Sequence, residues 1–365
     1  MTVHRTTPEA AAAGPAAGQG HLAPLAGRDR AAAVAAELWP DTPAEIEPIP
    51  GGITNENFKA TAAGQTYVIR VFGERAEMLL IDRALECRIT KLAAELDVGP
   101  ELIAAQIDRG VLVTRYIPGG TVSAERMRDT EILRQVAETL RKVHAVPDDL
   151  GDMDPFRDTR YYRDQVASYG VTVHPDYTAG IALAAEIEDL VDYTPCGLCH
   201  SDLLSANFIT APDRIYLVDW EYAGKGDPLF DLANMSVNHA FTPEQDAVFL
   251  ELYQGTADEV DLAKIRVMRF VSAIREAGWS YLQTAISTLP VNFGGYADAC
   301  LANMRASSGE RAFAEALALL RRHRSAVGAK TPPRQATTLT SATSSTQTSS
   351  RPMSSSSAPA WSARP

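Results

Sequence analysis

The sequence lacks a long apolar run and has few cysteines. No stretch of about 18 apolar residues occurs, so we predict no transmembrane helix. The N-terminal stretch is rich in Ala, Gly and Pro and is interrupted by Glu9, so it also lacks the apolar core of a signal peptide. We therefore expect a cytoplasmic protein with no membrane partner. Four cysteines in 365 residues are too few for a disulfide scaffold.

The C-x-x-C pair formed by Cys196 and Cys199 lacks a second pair of ligands at a spacing that a structural zinc site needs. A redox pair is expected at a helix N-terminus, whereas the sequence predicts the end of a strand at this pair. We expect two buried and inert thiols.

Basic residues are fewer than acidic residues. The chain has 34 Lys and Arg residues against 46 Asp and Glu residues, which gives a net charge of −12. Such an acidic surface argues against nucleic acid as a partner and is compatible with a small cationic substrate. The sequence does not indicate an oligomeric state.

The composition predicts two disordered ends and two lobes between them. Residues 1–27 have few large apolar groups and residues 329–365 are rich in Ser and Thr, so neither end offsets the entropy of ordering. We predict a smaller lobe over residues 28–116 and a larger lobe over residues 117–328. A cleft between two lobes is a common ligand site.

Apolar spacing predicts the elements of each lobe. In the first lobe, residues 57–72 are typical of a β-hairpin, residues 77–97 of a helix and residues 111–116 of a strand. In the second lobe, long helical patterns dominate, with short strands near 206–209 and 215–218. We expect Ser123 to cap a helix with an apolar stripe from Leu133 to Val143, and Asp261 to cap a long, well-buried helix.

One short segment contains the candidate catalytic residues. In "CHSDLLSANFI", residues 199–209, His200, Asp202 and Asn207 have the H-x-D-x-x-x-x-N spacing of a kinase catalytic loop. Asp219 then ends the short apolar strand in "IYLVDWEY". Each residue alone is more often structural, but the combination is rare. It predicts phosphoryl transfer, with Asp202 as the base and Asn207 and Asp219 as ligands of Mg²⁺.

These strings resemble the choline/ethanolamine kinase family, within the wider aminoglycoside phosphotransferase group. The resemblance covers roughly residues 47–304 and includes "GGITNENFKA", "YVIRVFG", "LIDRALE", "LVDWEYAGKGDPLFDLAN" and "MRFVSAIREAGWSYLQ". It implies an α+β, protein-kinase-like fold. A small antiparallel sheet with one main helix would form the N-lobe, and the C-lobe would be larger and mostly helical. It also implies ATP and Mg²⁺ as cofactors and His200 as part of the catalytic set.

The first lobe supplies candidate nucleotide ligands. Gly51 and Gly52 would let a turn approach the phosphates, and Thr54 and Asn55 would add a hydroxyl and an amide. In "YVIR", Arg70 stands where a protein kinase has lysine. The resemblance implies that Arg70 takes the role of that lysine. We expect Glu86 on the next helix to hold Arg70 by an ion pair, although a surface salt bridge is the alternative.

The acceptor is harder to predict. A quaternary ammonium is held by aromatic faces and nearby carboxylates. Tyr222 and Trp279 lie in the strings that resemble choline kinases, whereas Trp220 is expected to be core. The accompanying carboxylates, which we include among the candidate substrate-binding residues, are Glu221, Asp231 and Glu276. Asp231 has a structural alternative, which is to bind the backbone of the catalytic loop.

The expected activity is ATP-dependent phosphorylation of an amino alcohol, with choline as the favoured acceptor. An aminoglycoside or thiamine phosphotransferase of the same fold is the alternative, and a carboxylate-rich pocket with few aromatics would support it. A kinase-like protein without turnover is a more remote alternative. The arginine in place of lysine leaves room for it, while Asp202, Asn207 and Asp219 count against it.

Overall fold

The computed structural model of the chain describes residues 26–147, 150–212 and 214–327. The ends that we predict to be disordered lie outside the described residues, except that helix α1 (Ala26–Leu38) begins two residues before the predicted boundary at residue 28. No helix in the described ranges is long and apolar enough to cross a membrane.

The first part of the chain forms a five-stranded antiparallel sheet with two helices. Its strands are β1 (Glu45–Ile49), β2 (Glu56–Ala62), β3 (Gln65–Val71), β4 (Leu102–Gln106) and β5 (Val111–Arg115), in the spatial order β1-β2-β3-β5-β4. Helix α1 packs on β1, β2, β3 and β5, and α2 (Arg83–Glu95) contacts β4. The predicted hairpin is present as β2 and β3.

The rest is mostly helical, as the fold class requires. The helices are α3 (Thr130–His144), α4 (Pro155–Ser168), α5 (Pro175–Val191), α6 (Pro228–Asn238), α7 (Pro243–Gln254), α8 (Glu259–Ile286), α9 (Phe293–Ser308) and α10 (Arg311–Val327). Helix α8 is the central one, because it contacts α4, α5, α6 and α9. Most of its side chains are buried, as its sequence predicted.

Five short strands build the catalytic region. They are β6 (Gly120–Thr121), β7 (Gly197–Cys199), β8 (Phe208–Thr210), β9 (Ile215–Leu217) and β10 (Gly224–Gly226). Strand β8 pairs with β6 and β9, and β7 pairs with β10. The two predicted strands near 206–209 and 215–218 are therefore present, as the two arms of the β8–β9 hairpin.

Three predicted helix starts are wrong because of local capping, and two of them lie before residue 131. The 77–97 helix is broken, because Leu80 has a left-handed backbone and Asp82 caps a new helix by accepting bonds from Ala84 N and Leu85 N. Ser123 accepts a bond from Arg126 N in a short 3₁₀ turn, and α3 begins only at Thr130.

Helix α8 starts earlier than predicted. It is capped by Asp258 rather than by Asp261, since the Asp258 carboxylate accepts bonds from the backbone N–H groups of Val260 and Asp261.

The prediction for the C-x-x-C pair, Cys196 and Cys199, needs a correction as well. Cys199 is buried but Cys196 is exposed. Burial raises the pKa of both thiols, which fits the expectation that they are inert.

Candidate active site

A cavity of about 390 Å³ lies between the five-stranded sheet and the β8–β9 hairpin. Its lining includes Gly51, Gly52 and Arg70 from the sheet side, and Asn207 and Asp219 from the hairpin side. Thr114 to Ile117, at the end of β5 and just after it, line it as well. Residues far apart in the sequence therefore face one space that has the size of a small-molecule site.

The turn above this cavity needs glycine at two positions. Gly51 has φ of 108°, which L side chains rarely adopt, and a Cβ at residue 52 would meet the carbonyl oxygen of Asn55 at 2.1 Å. The side chain of Asn55 does not face the cavity. It donates to Glu221 Oε2 (2.8 Å) and accepts from Gly73 N (3.3 Å). Thr54 is half-buried outside the cavity lining.

Arg70 bridges the two sides of the cavity. Its Nη1 lies 3.1 Å from Glu86 Oε1 and 2.5 Å from Asp219 Oδ1, and its Nε donates to Asn57 Oδ1 (3.3 Å). The predicted ion pair with Glu86 is therefore present, and it is buried rather than on the surface. Although burial works against the charge, Asp219 and Glu86 raise the pKa of Arg70. Arg70 remains a cation held at the cavity wall.

The catalytic string forms a tight loop. Asn207 Nδ2 donates to the backbone carbonyl of Asp202 (2.8 Å) and to its carboxylate Oδ2 (3.0 Å). Val218 N donates to Asn207 O (2.9 Å), which extends the pairing of the hairpin and brings Asn207, just before β8, close to Asp219, just after β9. Asp219 has φ of 69°, a left-handed conformation that Asp tolerates better than most residues.

The oxygen atoms near the cavity suit a hard cation. Because Asn207 uses its amide nitrogen for Asp202, its Oδ1 is left as a ligand. Asp219 uses Oδ1 for Arg70 and keeps Oδ2, and about a quarter of its side chain is exposed. One amide oxygen and one carboxylate oxygen are the ligand types that Mg²⁺ takes alongside phosphates and water. Asn207 and Asp219 therefore fit a Mg²⁺ site.

His200, which the sequence analysis places among the catalytic residues, is not part of the cavity lining in the described ranges. It is fully buried. Its Nδ1 accepts from Asp202 N (3.3 Å), and its Nε2 donates to Val218 O (3.0 Å). Burial lowers its pKa, so the ring is neutral. Both nitrogens hold the loop backbone, and we assign His200 a positioning role.

Asp231 binds the backbone of the catalytic loop, the contact that the structural alternative from the sequence expects. It is fully buried near the start of α6. It accepts from His200 N (2.7 Å), Ser201 N (2.8 Å) and His144 Nε2 (3.0 Å). Three donors take three of the roughly four lone-pair sites of a carboxylate, and the donors here all belong to the protein.

The contacts of Glu221 also differ from those expected of a substrate-binding residue. Its Oε2 is bound by Arg83 Nη1 (2.9 Å) and by Asn55, so it belongs to the nucleotide side rather than to the aromatic cluster described next. Burial and the neighbouring Asp219 raise its pKa to about 7.

An aromatic cluster surrounds Trp279, and its member Tyr296 lies within electrostatic range of Asp202. Trp279 Nε1 donates to the Tyr222 hydroxyl (2.7 Å), and the Trp279 ring packs edge-on against Phe293 and Tyr296, with centroids 5.8 and 6.0 Å away. Tyr222 and Tyr296 are half-buried, whereas Trp279 is almost fully buried. Phe293 and Tyr296 were missed by the sequence reasoning. They lie at the start of α9, outside every motif, and no local signal marks them.

Charged side chains lie next to this aromatic cluster. Glu276 accepts from the Tyr296 hydroxyl (3.2 Å) and lies 3.9 Å from Arg275 Nη1. Burial, then the charges of Glu276 and Asp219, raise the pKa of Asp202 well above its usual range. A cation bound between these carboxylates would relieve their repulsion. Trp220, as expected, is core and packs on His200 at 4.7 Å between centroids.

Comparisons with known proteins show the family and the fold of this chain. The model of a family described as "Phosphotransferase enzyme family" matches residues 45–267. Protein LicA of Haemophilus influenzae is 26% identical over 263 residues, covering 68% of this chain and 75% of that protein. Ethanolamine kinase 2 of Mus musculus is 27% identical over 259 residues, covering 63% and 66%.

Solved structures share the fold. A choline/ethanolamine kinase family protein from Mesorhizobium loti superposes with a TM-score of 0.70 at 27% identity, covering 81% of this chain and 99% of that one. Choline kinase LicA from Streptococcus pneumoniae gives a TM-score of 0.65 at 22% identity, covering 76% and 99%. The two-lobed, protein-kinase-like fold predicted from the sequence is confirmed.

Proposed function

Since this chain belongs to the phosphotransferase enzyme family, we propose that it transfers the γ-phosphate of ATP to the hydroxyl of a small amino alcohol, with choline as the acceptor. The products would be ADP and phosphocholine. The relatives named for choline and ethanolamine support an amino alcohol. The observation that carries choline is the aromatic cluster of Tyr222, Trp279, Phe293 and Tyr296, the last within electrostatic range of Asp202.

The nucleotide would occupy the cavity under the glycine turn. Arg70 is held at the wall by Glu86, where its guanidinium can donate to phosphate oxygens. Asn207 and Asp219 would hold Mg²⁺, which neutralises phosphate charge when bound. The predicted roles of Gly51 and Gly52 remain proposals supported by their place in the cavity lining.

Asp202 would accept the proton of the attacking hydroxyl. Asn207 binds its Oδ2, which leaves Oδ1 for the acceptor and fixes the carboxylate in one orientation. The reaction is then mainly one of positioning, in which the hydroxyl is placed in line with the γ-phosphate and the departing charge is stabilised. The division into lobes at residues 28–116 and 117–328 is part of this proposal, because each lobe supplies one side of the cavity.

The aromatic rings would hold the ammonium group. A trimethylammonium has no N–H to donate, so ring faces and the Glu276 charge are its available partners. Half-buried Tyr222 and Tyr296 offer more ring surface than buried Trp279 does. This abundance of aromatics also disfavours the aminoglycoside alternative, for which an aromatic-poor and carboxylate-rich pocket is expected.

The test is an acceptor panel with matched variants. ATP turnover would be measured with choline, ethanolamine, thiamine and an aminoglycoside, and choline is expected to give the highest kcat/KM. Tyr296→Leu should raise the KM for choline about tenfold, or about 1.4 kcal/mol, a value between those of exposed and desolvated cation–π contacts, as fits a half-buried ring. Tyr296→Phe, which keeps the ring, should change it much less, and exposed Tyr169→Leu serves as the control.

Two outcomes would overturn the assignment. If ethanolamine gives the higher kcat/KM, choline is the wrong acceptor and Glu276 is acting as a hydrogen-bond acceptor for an N–H group. If Asp202→Asn keeps more than about a tenth of the wild-type kcat, Asp202 is not the base, since such a group contributes roughly 10²- to 10⁴-fold.

A further inference from the structure

Arg83, the first residue of α2, connects three segments of the nucleotide side. Its Nη1 lies 2.7 Å from Glu86 Oε2 and 2.9 Å from Glu221 Oε2, and its Nη2 donates to Asn55 Oδ1 (2.9 Å). Its guanidinium carbon lies 4.3 Å from the centroid of the Phe72 ring. One side chain therefore joins helix α2, the glycine turn and the segment after β9.

The charges around Arg83 explain why such a link is needed. One carboxylate oxygen from each of Glu86, Asp219 and Glu221 lies within 4.8 Å of the other two. Arg70 neutralises Asp219 and one oxygen of Glu86, and Arg83 neutralises Glu221 and the other oxygen of Glu86. Without Arg83, Glu221 would lie beside Asp219 with 4% of its side chain exposed and no guanidinium on its Oε2, so it would either carry an unpaired charge or take up a proton. Unpaired charge in such a place is unfavourable.

Arg83 acts behind the cavity rather than in it. Arg70 and Asp219 line the cavity, whereas Arg83, Glu86 and Glu221 are not part of its lining in the described ranges. Asn55 continues the link, since it accepts from Arg83 and from the backbone N–H of Gly73, just after β3.

We infer that Arg83 is a positioning residue for phosphoryl transfer. It holds Glu86 in the orientation that aims Arg70 at the phosphates. Through Glu221 and Asn55 it also ties the glycine turn to the segment that carries the proposed metal ligand Asp219. The inference rests on the proposed phosphotransfer reaction and is independent of which alcohol accepts the phosphate.

The first experiment compares Arg83→Gln and Arg83→Lys with Arg88→Gln, an exposed arginine on the same helix. We expect Arg83→Gln to raise the KM for ATP tenfold or more, about the effect of losing one charge-assisted hydrogen bond. The KM for the acceptor should stay within about twofold. Arg83→Lys keeps the charge but loses the planar fork, so we expect an intermediate KM for ATP. Arg88→Gln should resemble the wild type.

The second experiment separates positioning from direct contact with the nucleotide. Affinity for a non-hydrolysable ATP analogue with Mg²⁺ would be measured without acceptor for the wild type, Arg83→Gln and the double variant Arg83→Gln/Glu221→Gln. If Arg83 acts by neutralising Glu221, the double variant should regain affinity relative to Arg83→Gln, because the unpaired carboxylate is gone. If Arg83 binds phosphate itself, the double variant will be no better, and the positioning role is wrong.

Other outcomes of these experiments would also test the role of Arg83. A wild-type KM for ATP in Arg83→Gln overturns the inference. If Arg83→Gln does not fold, Arg83→Lys replaces it, and an unchanged KM for ATP in that variant overturns the inference too. If no amino alcohol stimulates turnover of the wild type, the proposed function fails. The analogue-binding comparison still tests Arg83 in that case.

Discussion

The strongest structural prediction concerns Asp231, whose carboxylate holds the catalytic loop from below. Oδ1 accepts from Ser201 N, and Oδ2 accepts from His200 N and His144 Nε2, all inside a fully buried site. In Asp231→Asn, the amide oxygen can replace Oδ2, but the NH₂ group then points at Ser201 N–H, donor against donor.

The cost follows from that geometry. One buried backbone N–H without an acceptor costs about 1–3 kcal/mol, and the loss of charge weakens the remaining bonds, so we expect Asp231→Asn to lose about 2–4 kcal/mol of unfolding free energy. Asp231→Ala removes every acceptor and should lose about 4–6 kcal/mol on the same reasoning. Because Asp202 follows Ser201 directly, kcat should fall in Asp231→Asn while the KM for the acceptor changes little.

The assay is urea unfolding followed by tryptophan fluorescence, together with steady-state kinetics of the same preparations. Asp189→Asn, an exposed acid on α5, is the matched control and should stay within about 0.5 kcal/mol of the wild type. A loss below about 0.5 kcal/mol in Asp231→Asn would refute the hydrogen-bond reasoning. A selective rise in acceptor KM with unchanged stability would instead support the substrate-binding role.

Three further predictions concern the metal, the pH response and packing. Asp219→Asn should raise the Mg²⁺ concentration for half-maximal turnover at least about tenfold, because even the loss of a residue that only hydrogen-bonds to a metal ligand lowers metal affinity by about that factor. An unchanged Mg²⁺ titration would exclude Asp219 as a ligand. Burial lowers the pKa of His239 to about 4, so the folded state resists its protonation and stability falls as pH drops below about 6.5. Between pH 7.5 and 5.5 the wild type should lose about 1.4 kcal/mol more than His239→Gln in urea unfolding, and equal losses would contradict this. Gly278→Ala would place a Cβ 2.5 Å from the Tyr177 hydroxyl and should destabilise the protein by about 1–3 kcal/mol, whereas an unchanged melting temperature would show that α8 can shift.

Local patterns determined the parts of the protein that depend on neighbours in the chain. The hairpin around Gly64 follows from alternation and a turn signal within 16 residues, and it was predicted correctly. The loop of Asp202 and Asn207 is likewise local, because five residues of backbone set the distance between the two side chains. Helix starts were less predictable, since Asp258 and Asp261 are both plausible caps and only the backbone geometry selects Asp258.

Tertiary packing decided the partners that are distant in sequence. Glu221 looked like a substrate ligand beside Tyr222, yet Arg83, 138 residues earlier, binds it. Tyr296 has no motif around it, and only the packing of α9 on α8 brings it to Glu276. The physical reason is that a spacing along the chain fixes geometry only over a turn or a hairpin. Beyond that range, buried charges and rings take whichever partners the packed helices bring within contact distance.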